Sequence, residues 1–143
     1  MNDNIKALDE IYKGCKMGMD SIDMILNKDI ENKEFIDELN HEFNEYNKIS
    51  NDIQNIYDKY SDGEPKDTSA LNKVMLWSGI EMKTILNEDV SKLADIMMNG
   101  VNMGIIEGIK IKNNNKLNKE IENIVNIYIK SQQNNIENLK KYL

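Results

Sequence analysis

The chain has 143 residues, a net charge of -7 and one cysteine. That length holds one domain with a substantial core, and the negative charge disfavours nucleic acid and anionic membrane surfaces as partners. All 18 basic residues are lysine, so a planar arginine clamp for phosphate or carboxylate is excluded, and Cys15 has no second cysteine to pair with.

No apolar run approaches the ~18 residues of a membrane span, and no charged n-region followed by an apolar h-region opens the chain. The expectation is a cytoplasmic protein of bacterial type. The Asn, Lys and Ile bias is that of an AT-rich genome. One proline and seven glycines leave few breakers, and the only turn cluster is SDGEPKDTS at 61–69. Strand-like alternation is absent, so the chain reads as all-α, a single domain over 1–143.

The first helix is expected over 3–27, with Ile5, Leu8, Tyr12, Cys15, Met19, Ile22 and Leu26 on one stripe widened by Ile11, Gly18 and Ile25. The second is expected over 31–61, with stripe Phe35, Leu39, Glu42, Tyr46, Ile49, Ile53, Ile56 and Tyr60. A third, over 68–86, follows Pro65 with Asp67, Thr68 or Ser69 as its N-cap. It carries apolar residues on more than one side: Leu71, Val74, Met75, Trp77, Ile80 and Met82. A fourth is expected over 89–112, buried around most of its circumference. The last, over 116–142, has the stripe Leu117, Ile121, Val125, Ile129, Gln132, Ile136, Leu139 and Leu143. Glu42 and Gln132 are therefore polar residues on apolar stripes.

Glycines cost a helix roughly 1 kcal/mol each against alanine, yet Gly100, Gly104 and Gly108 stand four apart in the fourth helix, and Gly14 and Gly18 in the first. Small residues at this spacing let helix backbones approach closely, so the first and fourth helices are expected to pack tightly together. The segments CKMGMDSI (15–22) and VNMGIIEG (101–108) align on Met-Gly. That echo suggests two related hairpins, 1–61 and 89–143, joined across the 68–86 helix. In the register read here Glu42 matches Gln132, Glu45 matches Asn135, and Ser21 matches Glu107.

Two such hairpins resemble the ferritin-like four-helix bundle, whose dinuclear site takes a Glu from each of two helices and Glu-x-x-His from each of the others. Carried over residue by residue, the resemblance implies Glu107 on one helix with Ser21, beside Asp20, at the matching position. It puts Glu42-x-x-Glu45 and Gln132-x-x-Asn135 on the other two. Both histidines are missing, so shared architecture is implied more than shared iron chemistry. The pattern also resembles short helical proteins of clostridial bacteria. Glu38-x-x-His41 has the family spacing but falls off the apolar stripe and reads as a solvent face.

Two functional readings follow. In one, a non-enzymatic helical bundle binds itself, as a homodimer, or another protein through the 68–86 helix, with Trp77, Leu71 and Met75 as the surface. In the other, Glu42, Glu45, Glu107 and Gln132 hold Fe or Mn. The alternative for these polar residues is a hydrogen bond to Tyr46 or Tyr128. A third reading is an enzyme of unrecognised type using the same acids, but no His, Cys or Lys shares a stripe with them to complete a catalytic set, and no substrate is assigned. Cys15 reads as an inert buried thiol, and the nine methionines read mainly as core filling.

Overall fold

The computed structural model describes residues 2–61, 63, 65 and 89–143. Among them it contains four helices, α1 (Asp3–Leu26), α2 (Lys33–Tyr57), α3 (Val90–Asn114) and α4 (Lys119–Leu139), with a final 3-10 turn at Lys140–Tyr142. The expected 68–86 helix, and with it Leu71, Met75 and Trp77, lies outside the described residues. The helix starts obey local chemistry. The side chains of Asn2, Asn32 and Asp89 accept hydrogen bonds from the backbone N–H groups of Asn4, Phe35 and Lys92, satisfying donors that the first turn leaves open.

Helix directions follow from contacts far apart in sequence. The Lys116 and Asn118 amides donate to the side chains of Asp3 and Asn4 at 2.8 and 2.9 Å, so α1 and α4 start together and run parallel. Tyr46 reaches Gln132 and Tyr60 reaches Glu120, so α2 runs against α4. Gly104 faces Gln132 and Gly108 faces Ile129, so α3 also runs against α4. The helices form a four-helix bundle in which α1–α2 and α3–α4 are the closely packed pairs, α1–α3 and α2–α4 close the square, and α2 and α3 are diagonal. Because α2 and α3 are parallel, the end of α2 and the start of α3 lie at opposite ends of the bundle.

The core is continuous. Leu8, Ile11, Ile22 and Ile25 of α1, Phe35, Leu39 and Ile53 of α2, Leu93 of α3 and Ile121 and Leu139 of α4 are all fully buried or within 1 % of it. Each such side chain contributes roughly 1.5–3 kcal/mol on transfer from water. Ile11 and Ile25 widen the α1 stripe as expected and are fully buried, whereas Ile5 and Leu26 are only partly so.

Two expectations are corrected. The 89–112 helix is not buried most of the way round: Met103, Ile106 and Ile109 are 55, 45 and 42 % exposed. Nor do the glycines bring the α1 and α3 backbones together; Gly14, Gly18 and Gly104 make room for tyrosines. A Cβ on Gly18 would lie 2.5 Å from the ring of Tyr46. One on Gly104 would lie 2.8 Å from the Tyr128 hydroxyl and 2.9 Å from the Gln132 amide nitrogen, and Gly14 abuts the same Tyr128 hydroxyl. Two rings thus enter the bundle through gaps that any larger residue would fill.

The Met-Gly echo holds, in a different register. Gly18 faces Tyr46 and Gly104 faces Gln132, both glycine partners lying 28 positions downstream. Tyr46, rather than Glu42, is therefore the counterpart of Gln132, and Glu42 corresponds to Tyr128. The expected pairing slipped by one helical turn in the second arm of each hairpin.

The glycine environments separate two substitutions. Gly100 has nothing within 4 Å of an added Cβ, so Gly100→Ala should stabilise the fold by up to about 1 kcal/mol through helix propensity. Gly18→Ala gains the same propensity but overpacks the Tyr46 ring, and should destabilise by about 1–3 kcal/mol. Urea unfolding midpoints of the two variants, moving in opposite directions, check the assignment.

Candidate functional site

The polar groups inside the bundle lie on successive rungs of the α2–α4 face. At the middle rung the Tyr46 hydroxyl donates to Gln132 Oε1 at 2.7 Å, and Gln132 also bonds the Tyr128 hydroxyl. One amide thus links two phenols, each at most 3 % exposed. Burial holds both phenols above their ordinary pKa, so they are neutral hydrogen-bonding groups. The sequence expectation that Tyr46 and Tyr128 partner a buried polar residue is met at Gln132. Cys15 lies fully buried on α1, and burial raises its thiol well above the usual range, which leaves it inert.

One turn from Tyr46 along α2 sits Glu42. It is fully buried, and neither carboxyl oxygen meets a donor. Burial, then hydrogen bonding to Glu38 and the charge of Glu38, push its pKa to about 10. Glu42 is therefore neutral at pH 7, with the Glu38 carboxyl beside it. On the matching rung of α4, Asn135 is 2 % exposed with its Nδ2 unpaired. Next come Glu38 Oε2 and the Tyr142 hydroxyl, both buried and unpaired. The last rung is closed by the edge-to-face contact of Phe35 with Tyr142, centroids 5.1 Å apart, and by the ion pair of Lys141 with Glu34.

The four residues read as Fe or Mn ligands do not converge. Glu42 and Gln132 are buried, one turn apart. The Glu107 side chain is 60 % exposed and pairs with Lys110 at 3.8 Å, which corrects its reading as an inward acid. Its position follows from geometry: Gly104 and Gly108 occupy the inward side of α3, and Glu107 stands on the outer side. Glu45 is 43 % exposed and lies 3.9 Å from His41. Among the described residues no three His, Cys, Asp or Glu side chains gather as a metal cluster.

Glu38 is the residue that sequence reasoning misplaced. It was read with His41 as solvent-facing, and only His41 is. The available signal was its spacing: Glu38 precedes Glu42 by four, and residues four apart share a helix face. At the other end of the bundle, Tyr57 donates to Asp9 at 2.7 Å and Gln54 donates to the Tyr12 hydroxyl at 2.9 Å. Beside them Gln54, Tyr57, Asp58, Gly63 and Pro65 line a small polar pocket.

Comparison with protein-family models, curated proteins and solved structures finds no match for this chain. Among the described residues no helix is long and apolar enough to cross a membrane.

Two outcomes test this geometry. Below about pH 4.5 Glu42 is protonated in both folded and unfolded chains and adds no pH dependence. Above it, only the unfolded chain ionises, so Glu42 lowers stability steadily until the folded pKa near 10. Glu42→Gln keeps the shape and removes that loss. In metal-free buffer it should match wild type near pH 4 and exceed it by about 3 kcal/mol at pH 7, as read by urea unfolding at each pH. Tyr46→Phe leaves the Gln132 carbonyl without its donor and should cost about 1–3 kcal/mol. Gln132→Leu added to Tyr46→Phe should recover part of that loss in a double-mutant cycle.

Proposed function

We propose that this chain is a non-enzymatic, cytoplasmic helical-bundle module that associates with protein, in the first instance with a second copy of itself. The observation that carries this reading is the outer face of α3. Met103, Ile106 and Ile109 succeed one another at three-residue spacing and are all more than 40 % exposed, on a bundle whose other long apolar side chains are mostly covered. A row of exposed large apolar residues on one helix is a contact surface rather than a solvated face. Leu71, Met75 and Trp77 of the 68–86 segment add apolar residues to the same proposal from sequence.

The ferritin-like architecture belongs to the proposal too. Parallel α1 and α4, parallel α2 and α3, the end of α2 and the start of α3 at opposite ends of the bundle, and the Met-Gly echo between hairpins support it. The interior supports an architectural rather than a catalytic reading. Gln132 is spent bridging two phenols, and Glu42 stands beside another acid.

Sedimentation mass is the direct test. Wild-type protein should associate, and Ile106→Lys should return it to the monomer without loss of helix content. Trp77→Ala, measured alongside, assigns any remaining association to the 68–86 segment. A wild-type chain that stays monomeric at every concentration tested would rule out self-association. An unchanged mass in Ile106→Lys would remove the α3 face.

A further inference from the structure

Five buried side-chain atoms lack a hydrogen-bond partner among the described residues: both oxygens of Glu42, Glu38 Oε2, Asn135 Nδ2 and the Tyr142 hydroxyl. They are not scattered. Glu38 and Glu42 are one turn apart on α2 and within hydrogen-bonding reach of each other. Asn135 is one turn from Gln132, which holds Tyr46, so it occupies the α4 rung that faces Glu42. Tyr142 follows on the final turn, within electrostatic reach of Glu38. Buried polar groups are normally satisfied, and here the unsatisfied ones share a single seam. The lysine on that turn, Lys141, is exposed and engaged by Glu34 and, of these groups, reaches the Tyr142 hydroxyl.

We infer that the α2–α4 seam is a binding site for one hard, oxygen-seeking divalent cation of the Ca2+ class, held by Glu38, Glu42 and Asn135 and bordered by Tyr142. The donor set decides the class. Two carboxylates and an amide, whose oxygen reaches the site by rotation of its terminal group, offer only oxygen, which suits Ca2+ or Mg2+ and not the softer metals. Two of the side chains are essentially unexposed, so the site leaves little room for the water shell that Mg2+ retains. Ca2+ accepts irregular oxygen geometry at about 2.3–2.6 Å. Binding releases the proton that Glu42 otherwise keeps, and the dication then supplies the positive charge that buried Glu42 and its neighbour Glu38 lack. It also joins the end of α2 to the C-terminal turn, which the Phe35–Tyr142 contact already brings together. This set differs from Glu42, Glu45, Glu107 and Gln132, and the inference is independent of the proposed association.

Tyr142 makes the test optical. Terbium, a Ca2+ surrogate, is added to the metal-stripped full-length chain, and its emission is read on tyrosine excitation. Saturable emission displaced by Ca2+ is expected. Glu42→Gln and Glu38→Gln should each weaken Ca2+ binding by about tenfold or more by calorimetry, with helix content retained. The surface variants Glu45→Gln and Glu107→Gln should leave it unchanged. Tyr142→Phe should keep Ca2+ binding by calorimetry while losing much of the emission. No saturable emission, emission that Ca2+ does not displace, or full binding by folded Glu42→Gln would each overturn the site. So would equal losses in the surface variants, which would reduce the effect to general attraction by an acidic protein.

Discussion

The hydrogen bond from Tyr46 to Gln132 sets the terms on which the two hairpins fit together. Its partners are 86 residues apart and both are buried. Each would leave an unpaired polar group in the core if the hairpins slid against one another. A slip of one turn would set the phenol against Tyr128 or Ile136 and strand the amide, at a cost of about 1–3 kcal/mol for each orphaned group. Apolar packing alone tolerates such slips, because leucine and isoleucine rungs resemble one another. The polar link makes one register distinct. It is also the reason for the glycines, since the phenols reach the bundle centre only through gaps at Gly18, Gly14 and Gly104. Poor helix formers are therefore retained where they admit a ring, and the lost propensity is offset by the bonded and buried tyrosines.

The internal echo has a structural counterpart, and its two halves differ at the centre. Both keep a Met-Gly step, and both set the glycine against a polar side chain 28 residues on. In the first hairpin that side chain is a phenol, and in the second an amide. The two meet as donor and acceptor, where two tyrosines or two glutamines would pair less simply. One turn further the halves differ in kind: Tyr128 joins the amide network, while its counterpart Glu42 is excluded from it and turns to Glu38. The asymmetry concentrates polar demand on the α2–α4 face.

Much of this was legible in the sequence, and the errors have physical causes. Helical periodicity located α1, α2, α3 and α4 because few breakers interrupt it and asparagine or aspartate caps mark three of the starts. The stripe also picked out Glu42 and Gln132 as buried, since position on a helix face is local information. What a buried residue meets is not local. A glycine four residues from another is the same pattern whether a backbone or a tyrosine ring fills the gap, so the helix contact and the ring contact could not be separated by spacing. Glu107 was misjudged because apolar neighbours on both sides suggested burial. Gly104 and Gly108 lie inward on α3, and Ile106 and Ile109 face outward with Glu107. The pairing of Glu38 with Glu42 was within reach of the four-residue rule, but the Glu-x-x-His spacing drew attention to His41 instead.

The two unusual surfaces occupy different sides of the bundle, and this follows from the chain's path. α2 and α3 are parallel and diagonal, so the acidic seam that α2 forms with α4 does not share a helix with the apolar row on α3. The seam is sealed at its end by Phe35, Tyr142 and the Glu34–Lys141 pair, whereas the α3 row is open along its length. A change at one can reach the other through α4, through α1, which packs on both α2 and α3, or through the terminal turn. The Tyr46–Gln132 bond, which fixes α4 against α2 while the same amide lies against Gly104 of α3, is one such route.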